Sequence, residues 1–277
     1  MGFQNISAFA GALLGSVVVT AMTYGFGQDA MQAWGWRIPF LIAGPLGLAG
    51  LYVRLRLEET PEFRAIASEG EVSGAPLREA IRGNIGGIGR CLGLATTHAI
   101  AYYTILAYVP NFLLSKNKVE AGEAFLVTCA ALVTAIAVLP FASHLSDRIG
   151  RRKVTIAACV GYLVLAYPVF MLMSSGGLAN ALLGQVILGV LFGTFGSAPF
   201  AMMVEMFPTR VRYSSASVGY NIAIAAFGGT APFIATWLVE QTSNELSPAW
   251  YLMGGAVLSL IAAWRTTETA GQPLRAN

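Results

Sequence analysis

Residues 144–153 read HLSDRIGRRK, a short charged stretch that lies between two long apolar runs. Its acidic and basic residues apart from the histidine are Asp147, Arg148, Arg151, Arg152 and Lys153. Only 11% of the whole chain is charged. Such a concentration of cations between apolar runs is typical of a loop joining two membrane helices, because Arg and Lys accumulate on one side of a bilayer. The stretch therefore predicts a polytopic membrane protein.

The composition supports the membrane class and excludes most soluble functions. Of the 277 residues, 56% are hydrophobic and the mean hydropathy is +0.63, whereas about 25% of a soluble domain is charged. The net charge of +3 gives no indication of nucleic-acid binding. Cys91, Cys129 and Cys159 have no metal-ligand spacing, so neither a metal site nor another cofactor is predicted. Two histidines without a buried carboxylate cannot supply the site of a membrane-embedded enzyme.

About eight segments are long and apolar enough to cross a bilayer as helices, which takes roughly 20 residues. They are residues 7–26, 35–53, 92–114, 122–142, 154–174, 178–200, 215–239 and 248–264. The last segment is short and ends at Arg265. The small-residue runs Gly11–Gly15 and Gly189–Gly193 would let helices approach closely, or would simply face lipid. The predicted fold class is therefore an all-α polytopic membrane protein.

The basic residues predict how these spans are oriented. Of the 17 Lys and Arg residues, all but Arg37, Lys116 and Lys118 fall on the same side of the predicted bundle. Positive residues favour the cytoplasmic side, so both termini are predicted to be cytoplasmic in a multi-pass protein of the cell inner membrane. No cleavable signal sequence precedes the first span, so the chain is expected to begin on a membrane helix.

A long loop divides the predicted spans unequally. Residues 1–53 hold two helices, 54–91 form an arginine-rich cytoplasmic linker, and 92–277 form a six-helix bundle with a short cytoplasmic tail. The linker is expected to end in an interfacial helix that begins near Pro76. One side of that helix would be apolar, through Leu77, Ile81, Ile85 and Ile88.

The charged stretch resembles the cytoplasmic G-x-x-x-D-R-x-G-R-R/K loop of the major facilitator superfamily. Ala142, Ser143 or His144 replaces the first glycine, depending on register. Three further stretches narrow the resemblance to the metabolite:proton symporter family, near its proline/betaine transporters. They are WGWRIPFLIAGPLGLAGLYVRLRLEETPEF (34–63), EMFPTRVRYSSASVGYNIAIAAFGGTAPFIATWLVE (205–240) and ETAGQPL (268–274).

The resemblance implies the major facilitator fold, in which twelve helices form two halves of six. The eight helices predicted here would correspond to the fifth to twelfth, so the chain looks like an N-terminally truncated transporter. The implied function is proton-coupled symport of a small polar metabolite, proline/betaine-like or an organic acid, by alternating access. Its partners would be the solute, protons and the lipid bilayer, with no nucleic acid.

A non-transporting remnant, or a chain that needs a partner chain to complete the bundle, is the alternative function. We expect the chain on its own not to transport, because the polar inner faces of several helices would otherwise meet lipid.

The charged loop is predicted to act as a cytoplasmic gate held by ion pairs; the alternative is that its cations only orient the bundle. Asp147 would pair with an arginine or cap the following helix, and Gly150 would permit the tight turn. Glu205 would pair with Arg148 or Arg152. The full predicted gate is Asp147, Arg148, Gly150, Arg151, Arg152, Glu205, Arg210 and Arg212.

His98 lies deep inside a predicted span, and ionisable residues at such depth are functional candidates by default. The predicted solute and proton pathway consists of His98, Tyr102, Tyr103, Tyr220 and Asn221. The alternatives are a hydrogen bond between helices for His98 and simple packing for the aromatic residues. No Asp or Glu lies in the interior of a predicted span, so a carboxylate proton site is not expected within this chain.

Overall fold

The computed structural model describes residues 2–57, 76–115, 119–209 and 211–271, and every regular element within them is a helix. The principal helices are α1 (Gly2–Phe26), α2 (Arg37–Arg56), α3 (Pro76–Tyr103), α4 (Ala121–Ile149), α5 (Arg151–Ser174), α6 (Leu178–Ser197), α7 (Arg212–Ala223) and α8 (Pro248–Arg265). Short helical segments Gln28–Ala30 and Met31–Gly35 connect α1 to α2.

Three helices continue past a local change of helical geometry. The continuations are Thr104–Tyr108 and Val109–Ser115 after α3, Pro199–Glu205 after α6, and Ile224–Gly228 and Ala231–Thr242 after α7. The segments Thr104–Tyr108 and Ile224–Gly228 are single wide turns with i→i+5 hydrogen bonds. Such turns are often found at functional sites.

Seven helices, counted with their continuations among the described residues, are long and apolar enough to cross a membrane. This finding confirms the all-α polytopic class. The predicted eighth span forms α8, but it is only 18 residues long and does not join the seven. Its ends, at Pro248 and at Trp264 and Arg265, lower its hydropathy. It nevertheless packs firmly against α3 and α5.

The predicted helix does begin at Pro76. It is separated from the membrane span by a kink at Asn84, where φ is −132° and ψ is 24° and the backbone is not helical. After Asn84 no proline interrupts the helix up to Tyr103. Ile85 is exposed and Ile88 is buried. Residues 58–75 of the predicted linker and the Leu77 side chain lie outside the described residues.

The contact between α4 and α6 is the most extensive in the described part of the molecule. A Cβ atom at Gly189 would lie 2.5 Å from the Ala131 carbonyl oxygen, and one at Gly193 would lie 2.6 Å from that of Ala135. The predicted close approach is therefore confirmed for this run. Gly11 and Gly15, by contrast, have no described atom within 4 Å of the place that a Cβ would take, so their face of α1 is open.

The helix α3 lies between α7 and α8 and makes extensive contacts with both. Ser259 of α8 inserts its hydroxyl into the backbone ladder of α3. It accepts the Thr97 N–H at 3.1 Å and donates to the Gly93 carbonyl at 2.6 Å. The Ser259 hydroxyl thus binds two backbone groups of α3 in the turn that precedes His98. Side chains inserted into a helix in this way are a common cause of bends. In contrast to α3, the helix α2 has no buried residue.

Candidate functional site

The turn between α4 and α5 depends on Gly150. Its φ is 108°, a conformation that residues with a side chain rarely adopt. A Cβ atom here would also lie 2.5 Å from Oε2 of Glu268. Two features therefore favour glycine at this position: the positive φ of the turn and the close approach of the Glu268 carboxylate.

Arg151 makes the ion pairs of this turn. Its Nη1 lies 2.9 Å from Oε1 of Glu205, and these two side chains are only 16% and 17% exposed. Its Nη2 lies 3.6 Å from Oδ1 of Asp147, which is 67% exposed. Glu205 therefore pairs with Arg151 and not, as predicted, with Arg148 or Arg152. The reason is tertiary: Arg151 is the first residue of α5, directly beside the continuation of α6.

The N terminus of α5 is capped by Glu268, which the sequence did not single out. Its Oε1 accepts the Arg151 N–H at 2.9 Å and its Oε2 accepts the Arg152 N–H at 3.1 Å. Two further N–H groups, of Thr269 and Ala270, donate to Oε1 at 3.0 Å. Helix N-terminal N–H groups lack partners within the helix and attract negative charge. The cap predicted for Asp147 is therefore supplied from the segment after α8.

The other predicted gate residues differ in their exposure and in their contacts. Arg148 is exposed. Arg212 donates from Nε to the Phe207 carbonyl at 3.1 Å, and the negative charge of Glu205 acts on its guanidinium. Arg210 lies outside the described residues. The cluster as a whole fastens together the start of α5, the end of the α6 continuation and the segment after α8.

His98 lies in a closed aromatic environment and is only 4% exposed. The centroid of its ring is 4.7 Å from that of Phe200, 5.1 Å from Phe192, 6.2 Å from Tyr102 and 6.4 Å from Phe9. Its Nδ1 atom is buried and has no hydrogen-bond partner among the described residues. The hydrogen bond between helices, the alternative considered for this residue, is therefore not formed at Nδ1.

Three of the predicted pathway residues are tyrosines: Tyr102 contacts this histidine, and the other two lie one ring further away. The rings of Tyr102 and Tyr103 are 5.4 Å apart, and Tyr220 is 5.6 Å from Phe200, which itself contacts His98. All three tyrosines are partly exposed. Asn221 lies apart from this group: its side chain is exposed and donates to a carbonyl of its own helix, one turn back, at 2.8 Å.

Several residues of these two sites could not be recognised from the sequence. Phe9, Phe192 and Phe200 are ordinary apolar residues of their helices, and only the packing brings them to His98. Glu268 belongs to the ETAGQPL stretch, whose resemblance to a family signature was the one available signal. No group of His, Cys, Asp or Glu in the described part of the chain could hold a metal ion.

Replacing Glu268 by alanine is expected to lower the melting temperature at neutral pH by removing the cap of α5, worth about 1 kcal/mol. Burial alone would raise the pKa of this carboxyl. The hydrogen bonds from Ala270, Arg151, Arg152 and Thr269 outweigh burial and hold the pKa below its usual value. The stabilisation is therefore present above the unfolded pKa of about 4.3 and is lost as the pH falls through the lower folded pKa.

The melting temperature of the purified parent protein should consequently approach that of Glu268→Ala as the pH is lowered from 7 into the acid range. Glu240→Ala, which removes an exposed carboxylate, is the control and should leave the melting temperature unchanged. A gap that stays constant on acidification would contradict the role assigned to the ionised carboxylate.

Comparison with known proteins agrees with this architecture. The sequence pattern of the sugar (and other) transporter family matches residues 90–276. The chain is 34% identical over 280 residues to the glycine betaine/proline/ectoine/pipecolic acid transporter OusA of Dickeya dadantii (strain 3937) and to the proline/betaine transporter of Escherichia coli (strain K12). Each alignment covers 98% of this chain but 56% of the relative. The chain thus spans little more than half the length of these curated relatives.

The fold is similar to one that has been solved experimentally. A crystal structure of a D-xylose-proton symporter superposes with a TM-score of 0.69, at 19% identity, covering 97% of this chain and 63% of that protein. At this identity the likeness concerns the fold alone. The family pattern over residues 90–276 covers more than half of the chain, and it shows that the chain belongs to the sugar (and other) transporter family of the major facilitator superfamily.

Proposed function

We propose that this chain serves in proton-coupled secondary transport of a small zwitterionic solute of the proline or betaine type, by alternating access. The observation that carries the proposal is the cluster around Arg151. A nearly buried ion pair and a carboxylate cap join three parts of the bundle at one end. Such a clasp holds that end closed and has to separate when the bundle opens there.

The solute would bind beside His98. Tyr102, Tyr103 and Tyr220 present partly exposed rings there, and the faces of aromatic rings attract ammonium groups. This setting fits a compact solute with a positive end better than a dicarboxylate. The names of the Dickeya and Escherichia relatives support the same class. His98 would be the proton-linked residue of the pathway, since ionisable groups at membrane depth commonly serve that role.

The location we propose is the cell inner membrane, with both termini in the cytoplasm. The support is the distribution of Lys and Arg, since all but Arg37, Lys116 and Lys118 belong to one side of the bundle. On this orientation the Arg151 cluster is a cytoplasmic gate. Residues 1–53 would belong to one bundle, 54–91 to the linker and 92–277 to the second bundle.

A second candidate is a chain that functions only when further helices complete its bundle. The specific observation is α2, none of whose residues is buried, together with the coverage of 56% of the relatives' length. Apolar residues such as Phe40 and Leu41 on this helix are highly exposed, as a helix with missing neighbours would be.

Uptake of radiolabelled proline and betaine separates these candidates. The 277 residues would be expressed in cells without osmolyte transporters, alone and together with the N-terminal helices of the Escherichia relative. We expect vector-level uptake for the chain alone and proton-gradient-dependent uptake after co-expression. Uptake by the chain alone would contradict the need for further helices, and no uptake in either case, with both polypeptides in the membrane, would contradict the transport proposal.

A further inference from the structure

The beginning of α1 is tied to the end of α6 by a hydrogen bond that the transport proposal does not use. Asn5 is 5% exposed, and its Nδ2 donates to the Gly196 carbonyl at 2.7 Å. Gly196 lies in the last turn of α6, just before the continuation that begins at Pro199. The bond therefore links two helices that are far apart in sequence.

Phe9, one turn further along α1, forms part of the wall around His98. It is fully buried; its ring centroid is 4.5 Å from that of Phe192 and 6.4 Å from the imidazole. The other rings around the imidazole, those of Tyr102, Phe192 and Phe200, belong to α3 and to α6 with its continuation. Phe9 is thus the one described ring of this wall that comes from α1.

The unsatisfied Nδ1 of His98 indicates why this wall matters. Burying a polar atom without a partner costs about 1–3 kcal/mol. The Nδ1 atom of His98 is buried and has no hydrogen-bond partner among the described residues. An ionisable group that exchanges protons has to reach water in some state of the protein. Displacing α1 would remove one side of this enclosure. It would break the contacts of Asn5 and Phe9 with α6 and the extensive contact of α1 with α4, but it would leave the packing of α3 against α7 and α8 in place.

We infer that α1 controls the access of water and protons to His98, with Phe9 as the plug and Asn5 as the fastening that keeps the plug seated. When the Asn5 bond to Gly196 opens, Phe9 leaves the ring cluster and the imidazole meets solvent. Phe9 and Asn5 are therefore positioning residues and do not themselves carry the proton. The inference rests on the proposed function for the use of this access, but the enclosure itself can be measured without transport.

Thiol labelling of a His98→Cys protein in native membranes tests the inference. The background lacks the buried Cys91, Cys129 and Cys159, and the probe is a small water-soluble maleimide whose attachment is followed by mass. Phe9→Ala should raise the labelling rate about tenfold or more, since it removes the plug. Asn5→Leu keeps the side-chain volume but deletes the donor, and it should raise the rate several-fold.

Two variants control for general loosening of the bundle. Phe112→Ala removes a buried ring of another aromatic group, with Tyr108 and Phe170, and Ser7→Ala alters an exposed position of α1. Both should leave the labelling rate unchanged. Equal acceleration by Phe9→Ala and Phe112→Ala would overturn the inference, as would labelling that is already fast in the parent. A selective effect of Phe9 and Asn5 would uphold the inference even if no solute uptake were found after co-expression with the N-terminal helices, a result that would count against the transport proposal alone.

Discussion

Replacing Gly193 by alanine is expected to lower the melting temperature of the purified protein markedly. The new Cβ would lie 2.6 Å from the Ala135 carbonyl oxygen and 3.0 Å from its Cα. Both atoms belong to the backbone of α4, so no flexible side chain can move aside. Overpacking of this kind costs about 1–3 kcal/mol, and each kcal/mol corresponds to about 2–4 °C in domains of 150–250 residues. Size-exclusion chromatography after heating in detergent measures the loss.

The matched control is Gly15→Ala on α1. No described atom lies within 4 Å of a Cβ at this position, so only the better helix propensity of alanine acts, worth up to about 1 kcal/mol. The melting temperature of Gly15→Ala should therefore stay level or rise. If Gly193→Ala proved as stable as Gly15→Ala, the close approach of α4 and α6 would be refuted.

Breaking the ion pair between Arg151 and Glu205 should have the second large effect. Their atoms are 2.9 Å apart and both side chains are mostly buried, so removing either one leaves a charge without its partner. The loss of such a charged hydrogen bond costs about 1.5–3 kcal/mol. We expect Arg151→Ala and Glu205→Ala each to lower the melting temperature, and the double variant to cost clearly less than the two single losses added together.

Asp147→Asn is the control for charge in the same loop. Asp147 is 67% exposed and 3.6 Å from Arg151, and exposed pairs contribute about 0–1 kcal/mol. Its removal should therefore have little effect on stability. Additive losses for Arg151→Ala and Glu205→Ala would show that the two groups do not interact. A loss for Asp147→Asn as large as that for Glu205→Ala would show that the clasp depends on Asp147 as much as on Glu205.

The same cluster connects stability to the proposed function. A variant that opens the clasp should lose closure at the proposed cytoplasmic end first, and solute uptake should fall with it. Melting temperature therefore needs to be measured on the same Arg151 and Glu205 variants as uptake, and uptake needs to be measured with the N-terminal helices co-expressed. Glu268 binds the backbone N–H of Arg151, whereas Glu205 binds its guanidinium, so the Glu268 variant is a useful second point of comparison.

Much of the fold follows from the sequence, because a membrane helix has to satisfy its own backbone hydrogen bonds over a known length. Three kinds of feature were recognisable: the spans, the glycine at position 150, and the candidates His98, Tyr102, Tyr103 and Tyr220. Apolar length defines a span, a positive φ favours glycine, and polar groups are rare at depth. The shortness of α8 was also visible in the sequence, whereas the position of the kink at Asn84 was not, because hydropathy varies gradually at helix ends.

The partners of these residues were decided only by the tertiary structure. Nothing in the spacing of HLSDRIGRRK distinguishes Arg151 from Arg148 or Arg152 as the partner of Glu205; the contact of α5 with the α6 continuation does. Glu268 reaches the start of α5 from more than a hundred residues away, and Phe9 reaches His98 from another helix. A local pattern reports which groups a helix presents, whereas long-range packing selects which of them meet.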